Sequence, residues 1–241
     1  MFVSKQGENT RGGEKMIERN ASSQKQKQKH KIFIVDDHPI VRKGLTQLIN
    51  QENDLVVCGE AESAHGALEV LKKIKPDLAI VDISLQGVDG IELIKTMKIR
   101  YNGLPVLVVS MHDESIFAER ALRAGARGYI MKQEAIERMM EAIRRVLKGD
   151  LYISERVSEN IVKRFIDGKT EISSSSVEAL SDRELEVFQL IGQGHGTSQI
   201  AQELHLSIKT VESYRANIKE KLKLKNAAEL MKHAVHWVES K

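Results

Sequence analysis

The chain has a single cysteine, Cys58, between Val57 and Gly59. One cysteine cannot close an internal disulfide, and its apolar neighbours read it as a small core residue. No stretch approaches the roughly 20 consecutive apolar residues that cross a bilayer. The N-terminus lacks the apolar run that a secretory signal needs. These absences imply a cytoplasmic protein with no membrane partner. Aromatics make up only 4% of the 241 residues, yet 41% are hydrophobic, enough for real cores. The length fits about two domains. A strong net charge is missing as well: the balance is +3, so bulk charge alone does not argue for nucleic acid.

That small balance is unevenly spread. Residues 1–31 hold eight Lys/Arg against three Glu, whereas residues 32–150 hold 16 basic and 18 acidic side chains. The first 30 residues are polar and include Gln24-Lys25-Gln26-Lys27-Gln28-Lys29. Such a composition cannot bury a core and reads as a disordered basic tail.

From Lys31 the pattern alternates. Apolar runs at Ile32–Val35, Leu55–Cys58, Leu78–Val81, Pro105–Val109 and Gly128–Met131 read as strands. Helical spacing follows each: Pro39–Asn50 with Ile40, Val41, Leu45, Leu48 and Ile49, then Ala64–Lys73, Asp89–Ile99, Glu114–Ala124 and Glu134–Leu147. Five strand–helix repeats imply a parallel sheet covered on both faces, an α/β domain over residues 31–150.

The strand ends carry the chemistry. Asp36 and Asp37 follow the first strand, Asp82 follows the third, Ser110 the fourth and Lys132 the fifth. Ligands of open parallel sheets bind at these carboxyl ends. Three carboxylates in one place repel and demand a cation. Mg²⁺ takes oxygen ligands and is held by one or two carboxylates, here Asp36 and Asp37. Asp82 can then act as a covalent phosphoryl acceptor, with Lys132 and Ser110 meeting phosphoryl oxygens. Taken singly, each residue has a plainer reading, since an aspartate after a strand usually caps the next turn, and Asp37 or His38 can cap the helix that follows. An aspartyl phosphatase would need a second carboxylate two residues after Asp82, where Ser84 stands, and a flavin or nucleotide enzyme would show a Gly-rich loop after the first strand.

Val35-Asp36-Asp37-His38-Pro39, Val81-Asp82-Ile83-Ser84, Val109-Ser110 and Gly128-Tyr129-Ile130-Met131-Lys132 together resemble the receiver domain of bacterial two-component response regulators. The resemblance implies a flavodoxin-like sheet of order 2-1-3-4-5 and phosphorylation of Asp82 by a sensor histidine kinase. It implies Mg²⁺ on Asp36, Asp37, Asp82 and the backbone carbonyl of Ser84. Ser110 takes the hydroxyl switch role and Tyr129 the switch aromatic, although on residues alone Tyr129 is a half-buried strand aromatic. Many receivers have proline after the lysine; this chain has Gln133. A degenerate receiver that binds protein without phosphate is the alternative, and the full polar set speaks against it.

Residues 151–177 read as a linker with a short helix, Ser154–Ile166, carrying Val157, Ile161, Val162 and Phe165 at helical spacing, and a flexible Ser173–Ser176 hinge. Beyond it the pattern is all-helical. Ser181 and Glu184 form a capping box. A short helix from Thr197, a turn at His205-Leu206 and a helix opened by Ser207 describe a helix-turn-helix. The last of these buries Val211, Ile218 and Leu222 and turns Lys209, Thr210, Glu212, Ser213 and Lys219 outward. Such a helix fits the major groove of double-stranded DNA. Lys209, Arg215, Lys219 and Lys223 would meet phosphates, joined by Thr197 and Ser198 at the preceding helix. Ser207–Lys225 carries six basic and two acidic residues. Its plainer reading is a solvated helix face.

Leu180-Ser181-Asp182-Arg183-Glu184-Leu185-Glu186-Val187, Ile200-Ala201, Ser207-Ile208-Lys209-Thr210-Val211-Glu212 and Lys221-Leu222 resemble the LuxR-type DNA-binding domain. This places an all-α four-helix domain at 178–241 and, with the receiver, implies a NarL/FixJ-type response regulator, a transcription regulator rather than an enzyme, that forms a homodimer on DNA.

Overall fold

The computed structural model describes residues 29–85, 90–166 and 176–239. Most of the basic tail, the Ser173–Ser175 part of the hinge and Asp89 lie outside them. The order is β1 (His30–Val35), α1 (Pro39–Asn50), β2 (Leu55–Ala61), α2 (Ala64–Leu71), β3 (Leu78–Val81), α3 (Gly90–Arg100), β4 (Val106–Ser110), α4 (Glu114–Ala124), β5 (Gly128–Met131) and α5 (Ala135–Leu147). There follow α6 (Glu155–Ile166), a 3₁₀ turn (Ser176–Ala179), α7 (Asp182–Gly192), α8 (Thr197–Glu203), α9 (Ile208–Lys221) and α10 (Ala227–Glu239).

The five strands are parallel in the order β2-β1-β3-β4-β5, the order that the resemblance implied. Successive side chains of a strand face opposite sides of the sheet, and the core divides accordingly. Ile32, Ile34, Leu78, Ile80, Leu107 and Val109 face α1 and α5, with Leu45, Ile49, Met139 and Ile143. Phe33, Val35, Ala79, Val81 and Val108 face α2, α3 and α4, with Leu71, Ile94 and Phe117. Both layers are nearly free of solvent, which explains why the central strands read as unbroken apolar runs.

Helix starts follow their caps. Ser63 Oγ accepts from the Gly66 amide at 3.2 Å, Asp113 Oδ1 from Ser115 at 2.7 Å and Ser207 Oγ from Thr210 at 3.0 Å. The Ser181/Glu184 box closes reciprocally at α7. In the helical unit α7 packs on α9 and α10, and Val211, Ile218 and Leu222 are buried as expected.

Three core expectations fail locally. Ile40 is 86% exposed, because it lies one position ahead of the Val41/Leu45/Leu48/Ile49 stripe of α1. Val162 is exposed beside the Val157/Ile161 stripe of α6 for the same reason. Cys58 is only half-buried, since β2 is an edge strand; that burial still pushes its thiol above the usual range.

Candidate functional site

The parallel ladder continues past the strand ends and sets the register at the mouth of the sheet. The Asp82 amide donates to Val35 O at 2.8 Å, the Asp36 amide to Ala61 O at 3.1 Å and the Lys132 amide to Ser110 O at 2.7 Å. Four chain segments thereby bring Asp36, Asp82, Ser110 and Lys132 to one rim. Lys132 Nζ lies 2.7 Å from Asp82 Oδ2 and 2.8 Å from Asp36 Oδ2. Asp36 and Asp82 are 2% and 1% exposed. Among the described residues no peptide bond is cis, so Gln133 in place of proline does not keep the lysine from the acids.

Charge balance at this rim is incomplete. Burial pushes the Asp36 carboxyl above its usual range; the Lys132 hydrogen bond opposes this and neighbouring Asp82 reinforces it. Burial alone would lower the Lys132 ammonium, but Asp82 and Asp36 outweigh it and hold it above the ordinary value. One ammonium cannot balance three carboxylates. Ligating atoms of Asp36, Asp37, His38 and Asp82 lie within 4.8 Å of one another, and the three carboxylates among them are the oxygen donors that a hard divalent cation takes. His38 was read from sequence only as a helix cap. Its side chain makes no cap bond and instead places Nδ1 2.7 Å from Asp37 Oδ1. Ser84 donates its amide to Asp82 Oδ1 at 2.9 Å, which fixes the carboxylate's orientation.

Ser110 and Tyr129 form the second part of the site. Ser110 is fully buried and its Oγ accepts from the His112 amide at 3.1 Å. Tyr129 is 2% exposed, not half-buried, and its hydroxyl donates to His112 O at 2.9 Å. Burial raises its hydroxyl pKa.

In the second domain, α9 presents a separate surface. Lys209, Glu212 and Ser213 are exposed, and Thr210, Arg215 and Lys219 are half-buried. The Thr210 and Ser207 hydroxyls lie 2.7 Å apart, and Ser213 Oγ donates back to Lys209 O at 3.0 Å. Ser198 is exposed and Thr197 half-buried at the start of α8.

Comparison with known proteins adds the deciding observation. Residues 32–144 match the response regulator receiver domain, and residues 178–234 match the luxR family of bacterial regulatory proteins. The oxygen regulatory protein NreC of Staphylococcus aureus (strain JH9) is 35% identical over 211 residues, 85% of this chain and 96% of its own. The chain belongs to the two-component response regulators. Its halves are a receiver and a LuxR-type DNA-binding domain, the NarL/FixJ arrangement, and the family regulates transcription rather than catalysing a reaction. The RcsB response regulator of Salmonella typhimurium has the same build, at 30% identity, with 85% of this chain and 97% of that one covered and a TM-score of 0.52. RcsB of Salmonella enterica serovar Typhimurium, bound to promoter rprA in the presence of the phosphomimetic BeF3-, aligns at 28% identity over 86% and 98%, with a TM-score of 0.55.

In this response regulator the two domains meet through charged groups that composition gave no reason to single out. Asp182, Arg183, Glu184 and Glu186 in the first turns of α7 are all buried. Glu184 belongs to the capping box and also meets Lys221 Nζ of α9 at 2.6 Å. The other three face the receiver or each other. Arg120 of α4 donates to Asp182 Oδ1 at 2.7 Å and to Leu180 O at 3.0 Å. Arg183 donates to Leu85 O, after β3, and to Glu186 Oε2 at 2.7 Å. His112 Nε2 lies 3.0 Å from Glu186 Oε1. Burial alone would raise the Glu186 carboxyl, yet His112 and Arg183 hold it below the usual range.

Sequence reading thus reached the rim residues and the outward face of α9, and missed His38, Gly90, His112, Arg120, Asp182, Arg183 and Glu186. A Cβ built on Gly90 would lie 2.4 Å from Ile83 Cα and 2.5 Å from Asp82 O. A glycine nine residues after the end of β3 carries no such signal by itself. Asp-Arg-Glu-Leu-Glu at a helix start reads as solvated, because only a second domain buries it.

Proposed function

We propose that this response regulator accepts a phosphoryl group on Asp82 from a sensor histidine kinase and, once charged, controls transcription as a dimer on double-stranded DNA. The observation that carries the reading is the Lys132 ammonium bridging Asp82 and Asp36 at 2.7 and 2.8 Å. An Asp82 oxygen attacks the phosphorus of the kinase's phosphohistidine. The P–O bond forms, the P–N bond breaks, and the imidazole leaves as the product. Mg²⁺, held by Asp36, Asp37, Asp82 and the Ser84 carbonyl, would neutralise charge on the moving oxygens. Lys132 stabilises the same charge from the other side. The Ser84 amide holds the carboxylate in place. Ser110 then turns its hydroxyl toward the new phosphoryl group, and Tyr129 follows into the vacated space.

In the LuxR-type domain, here bounded at 178–241 after a linker at 151–177 and a receiver at 31–150, α9 would enter the major groove. Thr210, Glu212 and Ser213 stand at its exposed N-terminal half, where base edges are read. Lys209, Arg215 and Lys219, with Thr197 and Ser198 of α8, would hold phosphates. RcsB has been seen as dimers bound to DNA and bound to a promoter with a phosphoryl mimic, which supports the same use here. Kinase and chromosome together place the protein in the cytoplasm.

Incubation with a small acyl phosphate donor tests the acceptor. The wild type should gain one acid-stable, base-labile phosphoryl group that depends on Mg²⁺, and Asp82→Asn should gain none. Uptake by Asp82→Asn at the wild-type rate would overturn the assignment.

A further inference from the structure

The outward face of α9 suits a polyanion, yet one acid stands in the middle of it. Lys209, Glu212, Ser213 and Ala216 are exposed along this face, with Arg215 and Lys219 half-buried at its flank. Lys209 precedes Glu212 by three positions and Arg215 follows it by three, the spacing at which helix side chains meet. Glu212 pairs with neither: among the described residues it has no hydrogen-bond or ion-pair partner. Other acids of the same domain are held. Glu184 meets Lys221 at 2.6 Å, Glu203 meets His195 at 2.9 Å, and Glu229 accepts from the Lys225 amide at 2.7 Å.

A free carboxylate on such a face weakens every nonspecific complex, because it meets phosphates of its own sign. That cost is offset only where the carboxylate finds a hydrogen-bond donor. The neighbouring hydroxyls do not supply or share this role. Thr210 and Ser207 hold each other's hydroxyls at 2.7 Å, and Ser213 Oγ donates to Lys209 O at 3.0 Å. Glu212 is the acceptor left wholly free in the half of α9 that faces base edges. Ala216, one turn further on the same face, is only a methyl group and leaves the way to the groove floor open.

The donors on that floor are few. An ionised carboxylate accepts and cannot donate. Guanine shows two acceptors in the major groove, and thymine an acceptor and a methyl group. The adenine amino group lies between two acceptors, its own N7 and the O4 of its thymine. The cytosine amino group stands at the end of its pair, with an acceptor on one side only. A carboxylate is therefore repelled least, and bonded best, at cytosine.

We propose that Glu212 selects a C·G pair at one fixed position in each half of the operator, by accepting from the cytosine N4 amino group. This deepens the function proposed above and rests on α9 entering the major groove.

The test incubates the full-length chain, with Mg²⁺ and BeF3-, with a library of random-sequence DNA duplexes and sequences those that are bound. The wild type should enrich a motif with a fixed C in each half, and replacing that C by T should weaken binding about tenfold. Glu212→Gln offers a donor beside an acceptor, the combination that matches adenine N6 and N7, so the motif should change from C to A at that position alone. Glu212→Ala should lose the preference there and bind duplexes without the motif more tightly than the wild type does. Glu220→Gln removes another exposed acid, two turns further along α9, and should leave the motif as it is. A motif unchanged in both Glu212 variants, or altered equally by Glu220→Gln, would overturn the assignment of Glu212 while leaving α9 on DNA. So would loss of binding to all duplexes alike in both Glu212 variants. A wild type that enriches no motif at all would remove the groove-reading role of α9, and the role of Glu212 with it.

Discussion

Lys132 Nζ stands 2.7 Å from Asp82 Oδ2 and 2.8 Å from Asp36 Oδ2, with only 7% of the lysine side chain exposed. It joins the carboxyl ends of β1, β3 and β5 in one contact. Losing one such preorganised charge typically costs a factor of about 100 or more in rate. Lys132→Met should therefore take up phosphoryl at least about 100-fold more slowly than the wild type from the same donor, while circular dichroism shows an unchanged fold.

Three carboxylates against one ammonium also predict a cation effect on stability. A ligand that binds the folded state alone stabilises by about 1.4 kcal/mol at ten times its Kd. Mg²⁺ should raise the thermal midpoint at pH 7, and EDTA should remove the gain. Asp37→Asn should lose most of the response, because Asp37 belongs to the cluster within 4.8 Å and makes no contact with Lys132 that would need the charge.

Gly90 tests the packing under Asp82. Glycine in a helix usually gives way to alanine with a gain of up to about 1 kcal/mol. Here the new Cβ would sit 2.4 Å from Ile83 Cα and 2.5 Å from Asp82 O, both backbone atoms. Overpacking of this kind costs about 1–3 kcal/mol, so it wins over the propensity gain. Gly90→Ala should lower the urea midpoint and also slow phosphoryl uptake, since the atoms displaced belong to the acceptor itself.

Glu186 gives a pH dependence with a definite sign. His112 and Arg183 outweigh burial and depress its pKa from the ordinary 4.5. A depressed carboxyl stabilises the docked form above its unfolded pKa and loses that contribution as pH falls through the folded value. The difference in thermal midpoint between the wild type and Glu186→Gln should be full at pH 6 and should narrow below pH 4.5.

On DNA, Lys209→Ala and Arg215→Ala should weaken binding to all sequences alike. Each should reduce the slope of log K against log salt by about 1, as loss of one phosphate contact does. A change confined to one operator sequence would instead make that residue a reader of bases.

Much of this molecule was legible before any coordinates, and for a local reason. Apolar runs, period-3.6 spacing, Ser181 and Ser207 as caps, and charged residues straight after apolar runs are all set by neighbours a few positions away. The boundaries of α1, β3, α4 and β5 agree with those patterns to the residue. Where a side chain sat one step off its stripe, as Ile40 and Val162 do, the helix was still read correctly and only its burial was misjudged.

What the chain's own order determined was which elements form, and that acids, a hydroxyl and an amine stand at strand ends. Only the tertiary structure decided that Lys132 spans Asp82 and Asp36, that His38 turns to Asp37 rather than capping α1, and that Asp182, Arg183 and Glu186 lie buried against the receiver. The reason is distance along the chain. His112 and Glu186 are joined by no periodicity, and a charge at a helix start has the same local pattern whether it faces water or another domain.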